Sequence, residues 1–413
     1  MITALLIFVI TYALISVRGN RKLKIGRTGA ALLGAAAMII FSVVSPMMAV
    51  DSINYNVILL LLGMMALVAG LEYCGLFEII SDWLMSRYHA GPKLLGVIMC
   101  LNALLAALVL NDAVVLLFTP IIIRCSASLK ADPVPYLVGT MISANIGSVA
   151  TAIGNPQNAY IVSESGISFI QFLVNQLPVA LVCLPVAYFM LLIFFRKRLA
   201  ATVVTDLDDE EHIAVDKTRL GILAGVALLA FIGFAVSGPL GIMICVPALI
   251  AGAIAVAVIL SKDVKRGKWV LHRIDWSILL FFVGLFVLMK GVQASGLLGN
   301  IADIVPGFGS GESPTLMATA GFSAIVSNLV SNVPAVMLLS GMIPQTDAFW
   351  YTLAASSTLA GNATLLGSAC NIIVAEKAAA KGIKIDFWKF MAIGIPITVV
   401  TIVLELVVHS IIL

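Results

Sequence analysis

Four short polar runs interrupt apolar stretches of this 413-residue chain. Two are built alike: residues 143–158, SANIGSVATAIGNPQN, and residues 356–371, SSTLAGNATLLGSACN. The other two, Leu110-Asn111-Asp112 and Ser331-Asn332-Val333-Pro334, each break a long apolar segment near its middle. Such residues can bind small polar solutes or ions. Interrupted helices expose N–H groups and positive dipole ends that attract anions. Unwound carbonyls and Asn side chains offer oxygen ligands to Na⁺ or another hard cation. The candidate lining in the first half is Asn111, Asn145, Thr151, Gly154, Asn155 and Asn158. In the second half it is Ser331, Asn332, Thr358, Asn362 and Thr364, with Gly367, Ser368 and Asn371. Asp112 is the sharpest residue: a helical arm of about 15 residues, ~22 Å long, carries it past a bilayer's midplane. A carboxylate that deep marks an ion or proton pathway. Asp112, beside Asn111 and opposite Asn332, is therefore the candidate carrier of a coupling ion or proton. Glu72, Lys290, Glu405 and His409 fall nearer helix ends, where snorkelling to the interface is expected.

The elements that must position these residues are membrane helices. Apolar residues make up 61% of the chain and Asp, Glu, Lys and Arg only 11%, against ~25% charged in a typical soluble protein. Spans of roughly 20 apolar residues are expected at 1–17, 28–48, 54–73, 134–155, 169–195, 219–236, 240–260, 275–294, 348–368 and 389–411. The segment 1–17 lacks a basic leader and cleavage site and reads as a retained helix. Segments 93–124 and 314–343, broken at their tips, read as re-entrant hairpins. With both entering and leaving on one side, every Lys and Arg except Lys290 falls on the same face of the membrane. The positive-inside rule makes that face cytoplasmic and puts both termini outside. An inner (plasma) membrane location follows.

The same composition excludes other classes. A net charge of +3 and scattered basic residues leave no nucleic-acid footprint. Alternating strands of a membrane barrel are absent. The six cysteines stand singly, with no C-x-x-C pair and no metal site. There is no H-E-x-x-H and no nucleophile with a partner base at readable spacing, which argues against an intramembrane enzyme. No phosphate-binding G-x-x-x-x-G-K-[ST] motif occurs either. No cofactor is expected beyond a coupling Na⁺ or H⁺.

The chain also repeats itself. Gly63, Gly70, Gly75 and Asn111 recur 221 residues later as Gly284, Gly291, Gly296 and Asn332. Ser143, Ala150, Thr151, Gly154 and Asn158 recur at an offset of 213 as Ser356, Ala363, Thr364, Gly367 and Asn371. The first copy starts outside and the second inside, so the repeats are inverted. The expected organisation is N-terminal helices at 1–50 and a first repeat at 51–198. An acidic cytoplasmic linker follows at 199–218, then connecting helices at 219–268 and a second repeat at 269–413. The fold class is an all-α polytopic membrane protein of about ten spans and two re-entrant hairpins. Inverted repeats with broken helices place their sites near the midplane.

The segments LVLNDAVVLLFTPI, NIGSVATAIGNPQNAYI, SNLVSNVPAVMLL and AGNATLLGSACNIIVAEKAAAKGI resemble the ion transporter superfamily. That group holds ArsB-type arsenite permeases, NhaD-type Na⁺/H⁺ antiporters, citrate transporters and sodium–dicarboxylate symporters. The likeness covers roughly 50–200 and 270–413. It is closest to the ArsB/NhaD branch, whose first hairpin also carries an Asn-Asp pair. The dicarboxylate branch has Ser-Asn-Thr at both tips, a pattern incomplete here. The resemblance implies a homodimer in the lipid bilayer, with a scaffold and a mobile domain working as an elevator. It implies secondary active transport of a small anion or oxyacid (arsenite-like, citrate-like or inorganic), coupled to H⁺ or Na⁺. The alternative is a Na⁺/H⁺ antiporter of the NhaD type; a passive channel is a further one.

Overall fold

The computed structural model describes residues 1–16, 26–201, 214–261, 264–297 and 314–413. The acidic run at 205–217 falls mostly outside them, as do Arg18, Arg21, Lys22, Lys24, Asp303 and Glu312. Helices and connecting turns make up the described residues, with no β-strand among them. The first group is α1 (Ile2–Ser16), α2 (Arg27–Ile40), the short α3 (Pro46–Asp51), α4 (Tyr55–Tyr73) and α5 (Leu76–Arg87). Two linked pairs follow, α6 (Pro92–Leu108) with α7 (Asn111–Ser128) and α8 (Pro133–Val149) with α9 (Pro156–Ser165), and then α10 (Phe169–Leu199). The connecting helices are α11 (Lys217–Ser237), α12 (Cys245–Leu260) and α13 (Val264–Arg273). The second half has α14 (Trp276–Ala294), α15 (Leu316–Val330), α16 (Asn332–Leu339), α17 (Asp347–Ala360), α18 (Ala369–Ala380) and α19 (Phe387–Ile412).

Sequence sets the starts. Asn54, Asp275 and Asp386 each accept a backbone N–H from the residue three further on, the N-cap bond that satisfies an orphan donor. Ser168 and Gln171 close a full capping box on α10. Proline opens α6, α8 and α9, where its missing N–H costs nothing. Six helices (α4, α7, α10, α11, α14, α19) are long and apolar enough to cross a membrane, and α1, α2, α6, α12 and α15 are shorter apolar helices. The segments at 134–155 and 348–368 are not continuous: α8 stops at Val149 and α17 at Ala360.

Close helix crossings depend on small residues. α4 and α12 meet at Gly63 and Gly252, where a Cβ on Gly252 would lie 2.6 Å from the Gly63 carbonyl oxygen and one on Gly63 2.3 Å from that of Ala248. Gly284 of α14, 221 residues after Gly63, makes the same kind of approach to Ala31 of α2, with a Cβ falling 2.8 Å from the Ala31 carbonyl carbon. Gly75 and Gly296, also related by the offset, both take positive φ, +84° and +73°. That conformation after α4 and α14 costs glycine less than a residue with a Cβ. Gly252→Ala should destabilise the protein by about 1–3 kcal/mol through overpacking against backbone. Gly221→Ala, with nothing within 4 Å of the new methyl, is the control. Thermal unfolding of the detergent-purified protein reads the difference; equal melting temperatures would remove the close-contact argument.

Candidate functional site

The two hairpin turns and the two helix breaks meet around one cavity of about 510 Å³. At the first turn the backbone is extended at Val109 and Leu110, and α7 starts at Asn111. The Asn111 side chain accepts the Asp112 N–H at 2.8 Å. Its backbone N–H donates to Gly154 at 2.9 Å and its amide nitrogen to Ser148 Oγ at 3.4 Å. Ser331, at the second turn, holds φ +75°, ψ 159°, a backbone conformation costing a residue with a Cβ of order 1–3 kcal/mol. With its amide turned so that nitrogen faces carbonyls, Asn332 donates to Gly367 at 2.9 Å and Ser357 at 3.1 Å and accepts from Gln157 at 3.3 Å. Gly154 and Gly367 are themselves offset-related, so both tips dock on the same point of their breaks.

The breaks are held by buried asparagines. Asn158 Nδ2 donates to the Ser148 and Thr151 carbonyls, both at 3.0 Å. Asn371 Nδ2 donates to those of Gly361 and Thr364, at 2.7 and 2.9 Å, which are the corresponding positions at the offset of 213. Thr151 donates to the Ala107 carbonyl at 2.6 Å and Thr364 to Asn328 Oδ1 at 3.0 Å. Asn145 ties one break to the other. It donates to Asn362 at 2.9 Å and Asn371 at 3.3 Å, and accepts from Ser368 at 2.9 Å. Asn155 and Gln157 share the Thr358 hydroxyl at 3.2 and 3.3 Å. Backbone freed from helix pairing is thus satisfied by side chains, the condition for irregular structure inside a bilayer.

This geometry sorts the candidate residues. Asn111, Asp112, Ser331, Asn332 and Ser368 line the cavity. Asn145, Thr151, Gly154, Asn155 and Asn158 are buried behind it, as are Thr358, Asn362 and Asn371, while Thr364 and Gly367 shape the second break. Sequence reasoning missed Gln157 and Asn328, both lining residues. Gln157 stands inside the GNPQN run, and Asn328 opens the SNLVSN doublet of the second tip. Four helix starts face the space: α7 through Asn111, α9 through Pro156, α16 through Asn332 and α18 through Ser368 and Ala369. Each end carries roughly half a positive charge. Asp112, in the first turn of α7, brings a half-buried carboxyl group, and its Oδ1 accepts the Cys370 thiol at 3.0 Å.

A sequence profile of the citrate transporter family, CitMHS, matches residues 6–354. The chain belongs to the citrate transporter family. Its relatives share nearly its whole length. A 46 kDa membrane protein of Mycobacterium leprae is 30% identical over 98% of this chain and 96% of its own. The silicon efflux transporter LSI3 of rice is 30% identical over 92% and 91%, and the putative transporter arsB of Dictyostelium discoideum 24% identical over 97% and 90%. The solved Alcanivorax borkumensis YdaH transporter shares the fold, with TM-score 0.55 and 16% identity over 99% of this chain and 96% of that one. The resemblance to the ion transporter superfamily therefore holds, and this family member is a multi-pass membrane transporter rather than an enzyme. The mouth of its cavity is charged: Arg27 of α2, Asp275 before α14 and Glu376 of α18 line it with Thr28 and Ser277. Arg27 has Glu376 and Asp112 as acidic neighbours.

Proposed function

We propose that the chain is a secondary active transporter of a small anion or oxyacid, arsenite-like, citrate-like or inorganic, coupled to H⁺ or Na⁺. The observation that carries this is the cavity on which four helix starts converge around the Asp112 carboxylate. Amide and hydroxyl groups there both donate and accept, which suits a hydroxylated solute as well as an anion. The names of the rice and Dictyostelium relatives point the same way. Offset-related glycines, asparagines and their hydrogen bonds support two inverted repeats, with α6–α7 and α15–α16 as re-entrant hairpins. By superfamily likeness the carrier is a homodimer, its hairpins and broken helices moving as an elevator. It sits in the inner membrane with both termini outside. Asp112 favours a second reading, exchange of Na⁺ for H⁺.

Uptake by proteoliposomes under imposed H⁺ or Na⁺ gradients, with arsenite, silicate, citrate and succinate, tests the proposal. Gradient-driven accumulation of one solute supports it. Na⁺-evoked proton efflux with no solute movement assigns the chain to the antiporters, and dissipative flux that never exceeds equilibrium assigns it to the channels. A second prediction concerns orientation. Arg27, Asp275 and Glu376 belong to helix ends that the charge rule puts inside, so this form of the cavity opens inward. In Ser331→Cys, a membrane-impermeant thiol reagent should label inside-out vesicles at least tenfold faster than right-side-out ones. The reverse ratio would refute the inward-open assignment.

A further inference from the structure

Away from the cavity, α19 carries a second polar feature. Thr398, Thr401, Glu405 and His409 recur at spacings of three and four, which puts them on one face of a helix. All four are buried, Glu405 and His409 to 0% and 1% exposure. Snorkelling, expected of ionisable residues near a helix end, does not occur. Glu405 lies about 10 Å and His409 about 5 Å from the C-terminal end of α19 at helical rise.

The pair is under-satisfied. Glu405 Oε1 stands 3.2 Å from His409 Nδ1, yet among the described residues neither carboxylate oxygen has a well-aligned hydrogen-bond donor and His409 Nε2 has no partner. Thr352 Oγ1 of α17 approaches Nδ1 at 3.5 Å. Of the titratable groups on the elements packed against it, Cys183 of α10 gives its thiol to the Thr401 carbonyl at 3.5 Å, and the Tyr351 ring of α17 is 6.4 Å from the imidazole. α15, the remaining neighbour, has no titratable residue between Leu316 and Val330. Gln176 of α10, whose nitrogen donates to Tyr351, leaves a further buried oxygen unmet. An unpaired buried charge is strongly destabilising, so the pair is held near net neutrality. Carrying one shared proton, carboxylate and imidazole are together neutral. Losing it leaves one negative charge and gaining a second leaves one positive charge.

We propose that Glu405 and His409 form a proton-binding site separate from the Asp112 cavity, which loads and releases the coupling proton during transport. It rests on the reading of this chain as an H⁺-coupled carrier. On loading, a proton from water beyond the end of α19 bonds to a Glu405 oxygen or an imidazole nitrogen; on release that bond breaks and the proton leaves toward the inward-open cavity where Asp112 stands. The polar face continues inward to the cavity wall. Thr401 donates to the Thr398 carbonyl at 3.1 Å and Thr398 to that of Leu359 at 3.5 Å, next to Thr358, the hydroxyl shared by Asn155 and Gln157.

Two measurements on the full-length protein test this. In proteoliposomes with an inward proton gradient and arsenite, silicate or citrate, Glu405→Gln should lose accumulation above equilibrium while solute-for-solute exchange persists. His409→Gln should shift the pH profile of uptake. Accumulation by Glu405→Gln equal to the parent's overturns the proposal. So does equal loss of accumulation and exchange in both variants when they purify as folded protein. The second measurement needs no transport: infrared spectroscopy of the protonated-carboxyl band across the neutral pH range. A titrating component present in the parent, missing in Glu405→Gln and displaced in His409→Gln, supports the site; identical spectra for parent and Glu405→Gln refute it. A parent that moves none of the three solutes would count against the transport assignment alone, and the infrared result would still decide the proton site.

Discussion

Asp112→Asn is expected to reduce gradient-driven transport by two to three orders of magnitude, with little change in folding. The substitution keeps the size of the side chain and the oxygen that accepts the Cys370 thiol at 3.0 Å. What it removes is the deep negative charge among four helix starts of about +0.5 each. A cation held about 4 Å from a carboxylate gains roughly 4 kcal/mol at an effective dielectric near 20, which corresponds to about a thousandfold in affinity. If the bound species is a proton, the amide cannot take it at all. Proteoliposome uptake, compared between parent, Asp112→Asn and Asp112→Glu, measures the effect, and Asp112→Glu should retain part of the activity. Full uphill accumulation by the Asn variant would end the coupling role of Asp112. Loss of Na⁺-evoked proton efflux, in a parent that moves no solute, would reassign the same residue to an antiporter.

Much of the site's location was legible in the sequence, and little of its internal division of labour. The Asn-, Ser- and Gly-rich runs marked the breaks because such groups inside hydrocarbon need partners, and α8 and α17 end inside them. Offset-related glycines were readable too, since positive φ at Gly75 and Gly296 and backbone contact at Gly63 and Gly284 both favour a residue without a Cβ. The sequence did not tell cavity from wall. An unwound segment of six or eight residues has no periodicity, so nothing distinguishes Ser368, which faces the space, from Asn362 and Asn371, which face each other's neighbours. Gln157, in the first turn of α9, and Asn328, in the last turn of α15, stand at helix ends beside the turns and were missed there.

Charged residues at helix ends show the other limit. Glu72 does not snorkel: it is 8% exposed and meets Arg273 at 3.2 Å. Glu405 and His409 turn inward because α10 and α17 cover that face of α19. The i, i+3, i+4 polar stripe from Thr398 to His409 was the available signal. It is a stronger guide to orientation than distance from the helix end, because it says which face of the helix is polar along its whole length.

Asn145 gives the second large effect. Its side chain is fully buried and joins the two breaks through Asn362, Asn371 and Ser368. A single side-chain hydrogen bond between membrane helices contributes only about 0.6 kcal/mol on average, so bond loss is the smaller term. The larger one is the set of buried groups left unmet, about 1–3 kcal/mol for each. Asn145→Ala strands the Asn362 oxygen, one contact of the Asn371 oxygen and the Ser368 hydroxyl, so a loss of about 3 kcal/mol or more is expected. Ser368 also lines the cavity, and transport should fall with stability. Asn145→Asp should be no milder, since it points a carboxylate oxygen at the Asn362 and Asn371 oxygens. The decisive comparison is Asn145→Ala with Asn362→Ala. The Asn362 nitrogen already lacks a partner among the described residues, so removing both residues abolishes one stranded oxygen and one unmet donor. The double variant should then be more stable than the sum of the single losses by about 1 kcal/mol or more. Strict additivity in thermal unfolding would mean that the two asparagines do not act on each other, and the two breaks would have to be held in register by packing alone.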